Sequence, residues 1–188
     1  METRIKGVYL SKKGPSIIDI YGYSSKGLPG IDLIGIGRKG QNIREKFIYI
    51  SKCRKLSIPL KRYALCIEDN CSIKLKDEDG IGWLELPLLL LFWCLAGVVS
   101  INNLERCFAA GKVMVDGKIV ILRMNNSLLE LLMNNNNNSS SSSDSENNSW
   151  NLFSIENNKN AEEFKIYGLP LDEILETIPD LYFETSDN

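Results

Sequence analysis

The sequence predicts a mixed α/β fold of the α+β kind. Three observations carry this: two N-terminal stretches that alternate apolar and polar residues, a stretch from Gln41 to Lys55 with helical apolar spacing, and a late hairpin signal at Asp116-Gly117. Alternating strands and helices that end in a hairpin leave α/β and α+β both open on periodicity alone.

Ile5 to Leu10 and Ile17 to Tyr23 read as strands, with Ile18, Ile20 and Gly22 facing opposite to Ile17, Asp19 and Tyr21, and Lys12-Lys13-Gly14-Pro15 as the turn between them. Gly30 to Gly35 reads as a third strand. From Gln41 to Lys55, Ile43, Phe47 and Ile50 recur at i, i+4 and i+7, which leaves Arg44, Lys52 and Lys55 on a basic back. Arg62 to Ile67 is short and apolar and runs into Glu68-Asp69-Asn70, as a buried strand ending in a loop would.

The run Leu86 to Val99 holds four consecutive leucines, and its length is about 14 residues, bounded by Glu85 and Asn102-Asn103. A membrane span needs roughly 20 apolar residues, so a buried core helix is expected, with Pro87 in the first turn where its missing N–H costs nothing. Cys107 to Val115 and Lys118 to Leu122 form the hairpin, and Leu128 to Met133 a short helix. Five asparagines and five serines then open a polar tract over 134–149, which cannot bury enough apolar surface to offset its ordering entropy and is expected to be a disordered insertion. Trp150 to Ile155 and Phe164 to Tyr167 read as strands and Leu171 to Ile178 as a last helix. The expected organisation is a main body over 1–133, the insertion, the remainder of the same domain over 150–178, and an acidic tail over 179–188.

Length and composition agree with one domain, at 188 residues, 44% hydrophobic and 24% charged. No signal peptide opens the chain, so a cytoplasmic location is expected. Five cysteines form no C-x-x-C pair and histidine is absent altogether. Structural zinc therefore has too few ligands, disulfides are not expected in a reducing compartment, and Ser-His-Asp and Cys-His catalysis lack their imidazole. Charge is segregated: residues 1–65 hold fourteen Lys and Arg against four Asp and Glu, whereas 66–188 hold eight against twenty.

Four motifs stand in a fixed order: Gly27-Leu28-Pro29-Gly30 with Gly35 after it, Arg44-Glu45-Lys46 within the helix, Pro59-Leu60-Lys61-Arg62, and Glu85-Leu86-Pro87. Gly111 with Asp116-Gly117 and, later, Asn157 with Ala161-Glu162 extend the series. In order and spacing these resemble the G-L-P-G, R-E-R, P-x-K-R, D-L-P, G-E-x-x-x-D-G and N-x-x-E-A of the N-terminal domain of the ComM and magnesium-chelatase-like (ChlI-type) ATPases, over nearly everything from Ile5 to Leu175. The resemblance implies a Lon-protease-like two-layer fold, shared with the second domain of ribosomal small-subunit protein five, and an association with DNA processing. Relatives continue into an ATPase module; this sequence has no G-x-x-x-x-G-K-[ST], so no ATP hydrolysis is expected. Lon-type peptidases place a nucleophilic serine just ahead of the apolar helix, where Gly80-Ile81-Gly82-Trp83-Leu84 stands, and a lysine after the hairpin, where Met124-Asn125-Asn126-Ser127 lies. A degenerate Lon-like peptidase is thus the weakest reading, because nucleophilic catalysis needs both partners.

Three further patterns require an answer. Gly35-x-Gly37-x-x-Gly40 has the dinucleotide spacing, but the next strand begins Lys61-Arg62, and Glu68, the acidic residue after it, lies 28 residues past Gly40, so a plain strand-to-helix turn and no cofactor are expected. Asp77-Glu78-Asp79-Gly80 lacks the spacing of a calcium loop and reads as an exposed acidic turn, so no metal is expected. The segment 38–62 holds nine Lys and Arg against Glu45 alone. Arg38, Lys39, Arg44, Lys52, Lys55, Lys61 and Arg62 are accordingly the candidate nucleic-acid contacts, with solvated lysines on a helix back as the simpler explanation. The expected function is a non-catalytic interaction or oligomerisation module with a protein partner or a second copy, without a membrane or small-molecule substrate, and nucleic-acid binding is the alternative.

Overall fold

The computed structural model describes residues 2–67, 78–99, 101, 104–123, 126–138, 150–153, 155–156 and 164–167. They form a mixed α and β architecture, as expected. The alternating N-terminal stretches make a long antiparallel hairpin of β1 (Glu2–Ser11) and β2 (Gly14–Ser25), turning at Lys12-Lys13, with Gly14 and Pro15 already inside β2. β3 (Gly30–Ile34), the helix α1 (Lys39–Cys53) and β4 (Arg62–Ile67) make a parallel strand-helix-strand unit, and β4 pairs antiparallel with β2.

A short helix α2 (Glu78–Gly82) leads into α3 (Glu85–Ala96), whose twelve residues are all buried. A helix that is apolar all round needs cover all round. The sheet supplies one side, through β1, β2 and β4, and α1 supplies another, where Trp93 Nε1–H donates to Ser51 Oγ at 3.1 Å. Residues Asp79–Ala96 are long and apolar enough to cross a membrane by composition, yet 78% of the segment is buried inside the molecule. The close seating of α3 depends on the strand below it. A Cβ at Gly7 would stand 2.8 Å from Leu84 Cδ2 and 3.3 Å from Pro87 Cγ, so only glycine lets the start of the helix lie against β1.

The late hairpin departs from expectation. Cys107 to Val115 is not one strand: β5 (Cys107–Ala109) joins β1 in the large sheet, and after buried Ala110 the chain enters β6 (Gly111–Val113), which pairs with β7 (Ile119–Arg123) in a separate small sheet. Trp150 to Ile155 divides likewise into β8 (Trp150–Phe153), beside β5, and β9 (Ile155–Glu156), beside β7. A last strand, β10 (Phe164–Tyr167), completes the order β10-β8-β5-β1-β2-β4-β3, with β6-β7-β9 as the second sheet.

Helix α4 (Asn126–Asn138) is longer than the Leu128 to Met133 of the sequence reading and takes in the five asparagines expected to be disordered. Extending a helix that already exists costs far less than nucleating one, so the polar residues can follow the apolar turns. Leu128 and Leu132 of α4 pack with Val8 and Phe108 on the face of the sheet opposite α3, which gives the sheet helical cover on both faces where two layers were expected. The rest of the Asn/Ser tract (139–149), the expected helix Leu171 to Ile178, the acidic tail, Cys71, and the motif residues Asn157 and Ala161-Glu162 lie outside the described residues.

Candidate functional site

Two of the sequence motifs, thirty residues apart, become neighbours. Gly27-Leu28-Pro29-Gly30 enters β3 and Pro59-Leu60-Lys61-Arg62 enters β4, and because these strands run parallel with Gly30 opposite Arg62, the turns stand side by side. Gly30 N–H donates to Lys61 O at 3.1 Å, Lys61 N–H to Pro59 O at 2.9 Å, and the Tyr63 hydroxyl to Pro59 O at 2.8 Å. The prolines remove donors that a turn cannot satisfy, and the remaining polar groups close on one another. Both turn leucines therefore point away from the core: Leu28 is 89% and Leu60 86% exposed.

Beside them lies a groove of about 480 Å³ between the end of α1 and the start of β3, lined chiefly by Pro29, Ile48, Leu56, Ile58, Leu60 and Tyr63. Phe92 reaches it from α3, edge-on to Tyr63 at 5.2 Å and 83°. Among the described residues its charged lining is Lys52 and Lys61, with no carboxylate. Leu56 and Ile58 are presented there because the chain leaves α1 through Lys55 at φ 54, and Leu56 N–H bonds back to Ser51 O at 3.0 Å.

A second cavity of about 480 Å³ sits at the other end of α1, lined by residues that include Asp32, Gly37, Gln41, Arg44 and Arg62. Here is the glycine bend, with Gly35 at φ 91 and Gly37 at φ 67, followed by a helix start with no side-chain cap. Its two arginines are engaged by carboxylates. Arg62 Nε donates to Asp32 Oδ2 at 2.7 Å, a bond that with the adjacent charge raises the guanidinium's affinity for its proton, and Arg44 Nη2 donates to Glu45 Oε1 at 3.0 Å.

The seven basic candidates do not line one cavity. Arg44 and Arg62 line one cavity and Lys52 and Lys61 the other, while Arg38, Lys39 and Lys55 line neither. Arg38, Lys52, Lys55, Lys61 and Arg62 are exposed, and Lys39 and Arg44 are half-buried.

Sequence reasoning missed a buried polar junction. Lys46 Nζ donates to Glu85 Oε1 at 2.7 Å and to Val113 O at 2.9 Å, and Glu85 Oε2 accepts Val113 N–H at 2.9 Å. No local pattern signalled it, because the two residues stand 39 positions apart in the sequence. Trp83 is half-buried with Lys112 Nζ 5.2 Å from its ring centre, a cation–π contact, and Gly111 N–H donates to Trp83 O at 3.0 Å. Asp79, from the acidic turn, lies 4.0 Å from that same ammonium, and among the described residues no cluster of three metal-ligating side chains occurs. Cys53 is exposed and Cys66, Cys94 and Cys107 are buried as free thiols. No protein-family model matches the chain, and no curated protein matches it either.

Proposed function

We propose that this chain is a non-catalytic interaction module of the cytoplasm, a relative of the N-terminal domain of magnesium-chelatase-like ATPases, acting through the groove beside its Gly27-Leu28-Pro29-Gly30 and Pro59-Leu60-Lys61-Arg62 turns. The observation that carries the reading is the exposure of Leu28 and Leu60, 89% and 86%, on turns that flank an apolar groove. Single exposed leucines are ordinary, but two on adjoining turns beside a lined groove are what a docking surface requires. The absence of histidine and the Trp83 side chain at the nucleophile's place support the non-catalytic part.

Light scattering on the full chain across the micromolar range tests it. Association should be concentration-dependent and should vanish in a Leu28→Ser, Leu60→Ser variant. A wild-type chain that stays monomeric, and that also fails to bind a magnesium-chelatase-like ATPase module, contradicts the reading.

One observation favours a second reading, nucleic-acid binding: Arg38, Lys52, Lys55 and Lys61 are exposed, and no carboxylate among the described residues pairs with them. Neutralising Arg44, Lys52 and Lys55 should then flatten the salt dependence of DNA binding, and no binding at low salt removes it.

A further inference from the structure

The groove beside Leu60 has a chemical signature that selects its occupant. Its walls are aliphatic and aromatic, and among the described residues its charged lining is Lys52 and Lys61, with Lys26 and Lys55 exposed on the adjoining chain. An apolar trough with a cationic rim takes an amphipathic helix whose polar side is acidic.

This chain carries such a segment. In residues 168–188 there are six carboxylates and no lysine or arginine. Leu171, Ile174, Leu175 and Ile178 recur there at i, i+3, i+4 and i+7, the spacing of anchors along one helix face, and Asp172, Glu173 and Glu176 fall between them.

Topology decides which copy supplies it. The segment follows β10 at one edge of the seven-stranded sheet, while the groove opens beside β3 at the opposite edge. Six strand spacings of about 4.8 Å put these edges about 29 Å apart. From Tyr167 to Leu171 the chain advances four residues, at most about 14 Å, and an eight-residue helix adds about 12 Å. The strands β10 and β3 also run in the same direction, so the segment leaves at the C-terminal end of the sheet whereas the groove lies at the N-terminal end of β3 and β4. The anchors therefore fall short of the chain's own groove.

We propose that the groove binds Leu171–Ile178 of a second copy of this chain. The contact joins two different surfaces and is head-to-tail, so it propagates through successive copies until the rotation closes or a filament forms. The inference rests on the reading of the groove as a docking surface and adds the identity of what docks.

The test uses full-length chains and light scattering. Leu60→Asp destroys the groove's apolar wall, and Leu175→Asp destroys an anchor. Each variant alone should lose assembly by at least about tenfold in dissociation constant. Mixed in equal amounts they should form a heterodimer and stop there, because one intact groove and one intact segment remain. Joining Lys52→Glu and Lys61→Glu to Asp172→Lys, Glu173→Lys and Glu176→Lys in one chain should restore the association that each charge set abolishes alone. Circular dichroism establishes that each variant is folded, and a variant that is not is replaced by its serine counterpart at the same position. If Leu60→Asp abolishes assembly while Leu175→Asp and the tail charge reversals assemble as wild type does, the groove docks something else and the occupant is wrong. A wild-type chain that is monomeric throughout overturns the proposed association itself.

Discussion

Lys46 Nζ lies 2.7 Å from Glu85 Oε1, and through Val113 the pair ties α1, α3 and β6 together at one point. The glutamate side chain is 11% and the lysine 22% exposed. The two side chains meet across 39 residues of sequence.

Removing one partner should cost more than removing both. Lys46→Met leaves the Glu85 carboxylate largely buried with only Val113 N–H to satisfy it, a loss of about 2–4 kcal/mol, read as a lower urea midpoint at unchanged slope. The paired exchange Lys46→Arg with Glu85→Asp should cost less than the sum of its two single changes. Strict additivity would show that the two side chains do not act together.

Much of this architecture is legible in the sequence, but the junctions are not. Alternation gives β1 and β2, and the i, i+4, i+7 set Ile43, Phe47 and Ile50 gives α1 and its buried face. Local patterning could not reveal that Cys107 to Val115 changes sheets at Ala110, because a strand's pattern records burial and not which neighbour it pairs with. That α4 runs on through asparagines 134–138 is not legible from composition, which weighs a tract as if isolated. Leu28 and Leu60 were visible as turn residues, and their adjacency was not: it comes from the parallel pairing of β3 with β4 across an intervening helix.

Gly7→Ala should destabilise by roughly 1–3 kcal/mol through overpacking. The added methyl would meet Leu84 at 2.8 Å and Ile20 at 3.0 Å, side chains that are themselves fully buried and have nowhere to retreat. A second change, Leu84→Ala, should make the substitution at Gly7 less costly than in the wild-type background. Equal cost in both backgrounds would place the clash elsewhere.

Burial pushes the Cys94 thiol from an ordinary 9.0 up to about 12, against a smaller opposing hydrogen bond at Ile101. Between those values the unfolded chain has lost this proton and the folded chain keeps it, so stability is fully present below about pH 9 and falls as pH rises, by about 1.4 kcal/mol per unit. Burial raises the Tyr63 phenol as well and adds a loss of the same sign at higher pH, so the comparison is made between pH 9 and 10. Cys94→Ala, though less stable at neutral pH, should show a flatter decline there in urea midpoints. Parallel pH profiles for the two proteins would mean that the thiol is not desolvated in the native state.

Leu28→Ser and Leu60→Ser should each leave the stability of the monomer within about 0.5 kcal/mol, although a leucine lost from a core costs about 2–5. Both side chains already stand almost wholly in water in the folded molecule, at 89% and 86% exposure, so truncation removes little contact and opens no cavity. Their turns are held by backbone bonds from Gly30 and Lys61 and by the Tyr63 hydroxyl, none of which involves a leucine side chain. Urea unfolding at a dilution where the chain is monomeric measures the monomer alone, and the same variants at high concentration report on association. A destabilisation beyond about 2 kcal/mol in the dilute sample would mean that these leucines are packed within a single copy, and the groove would then be part of the core and not a docking surface.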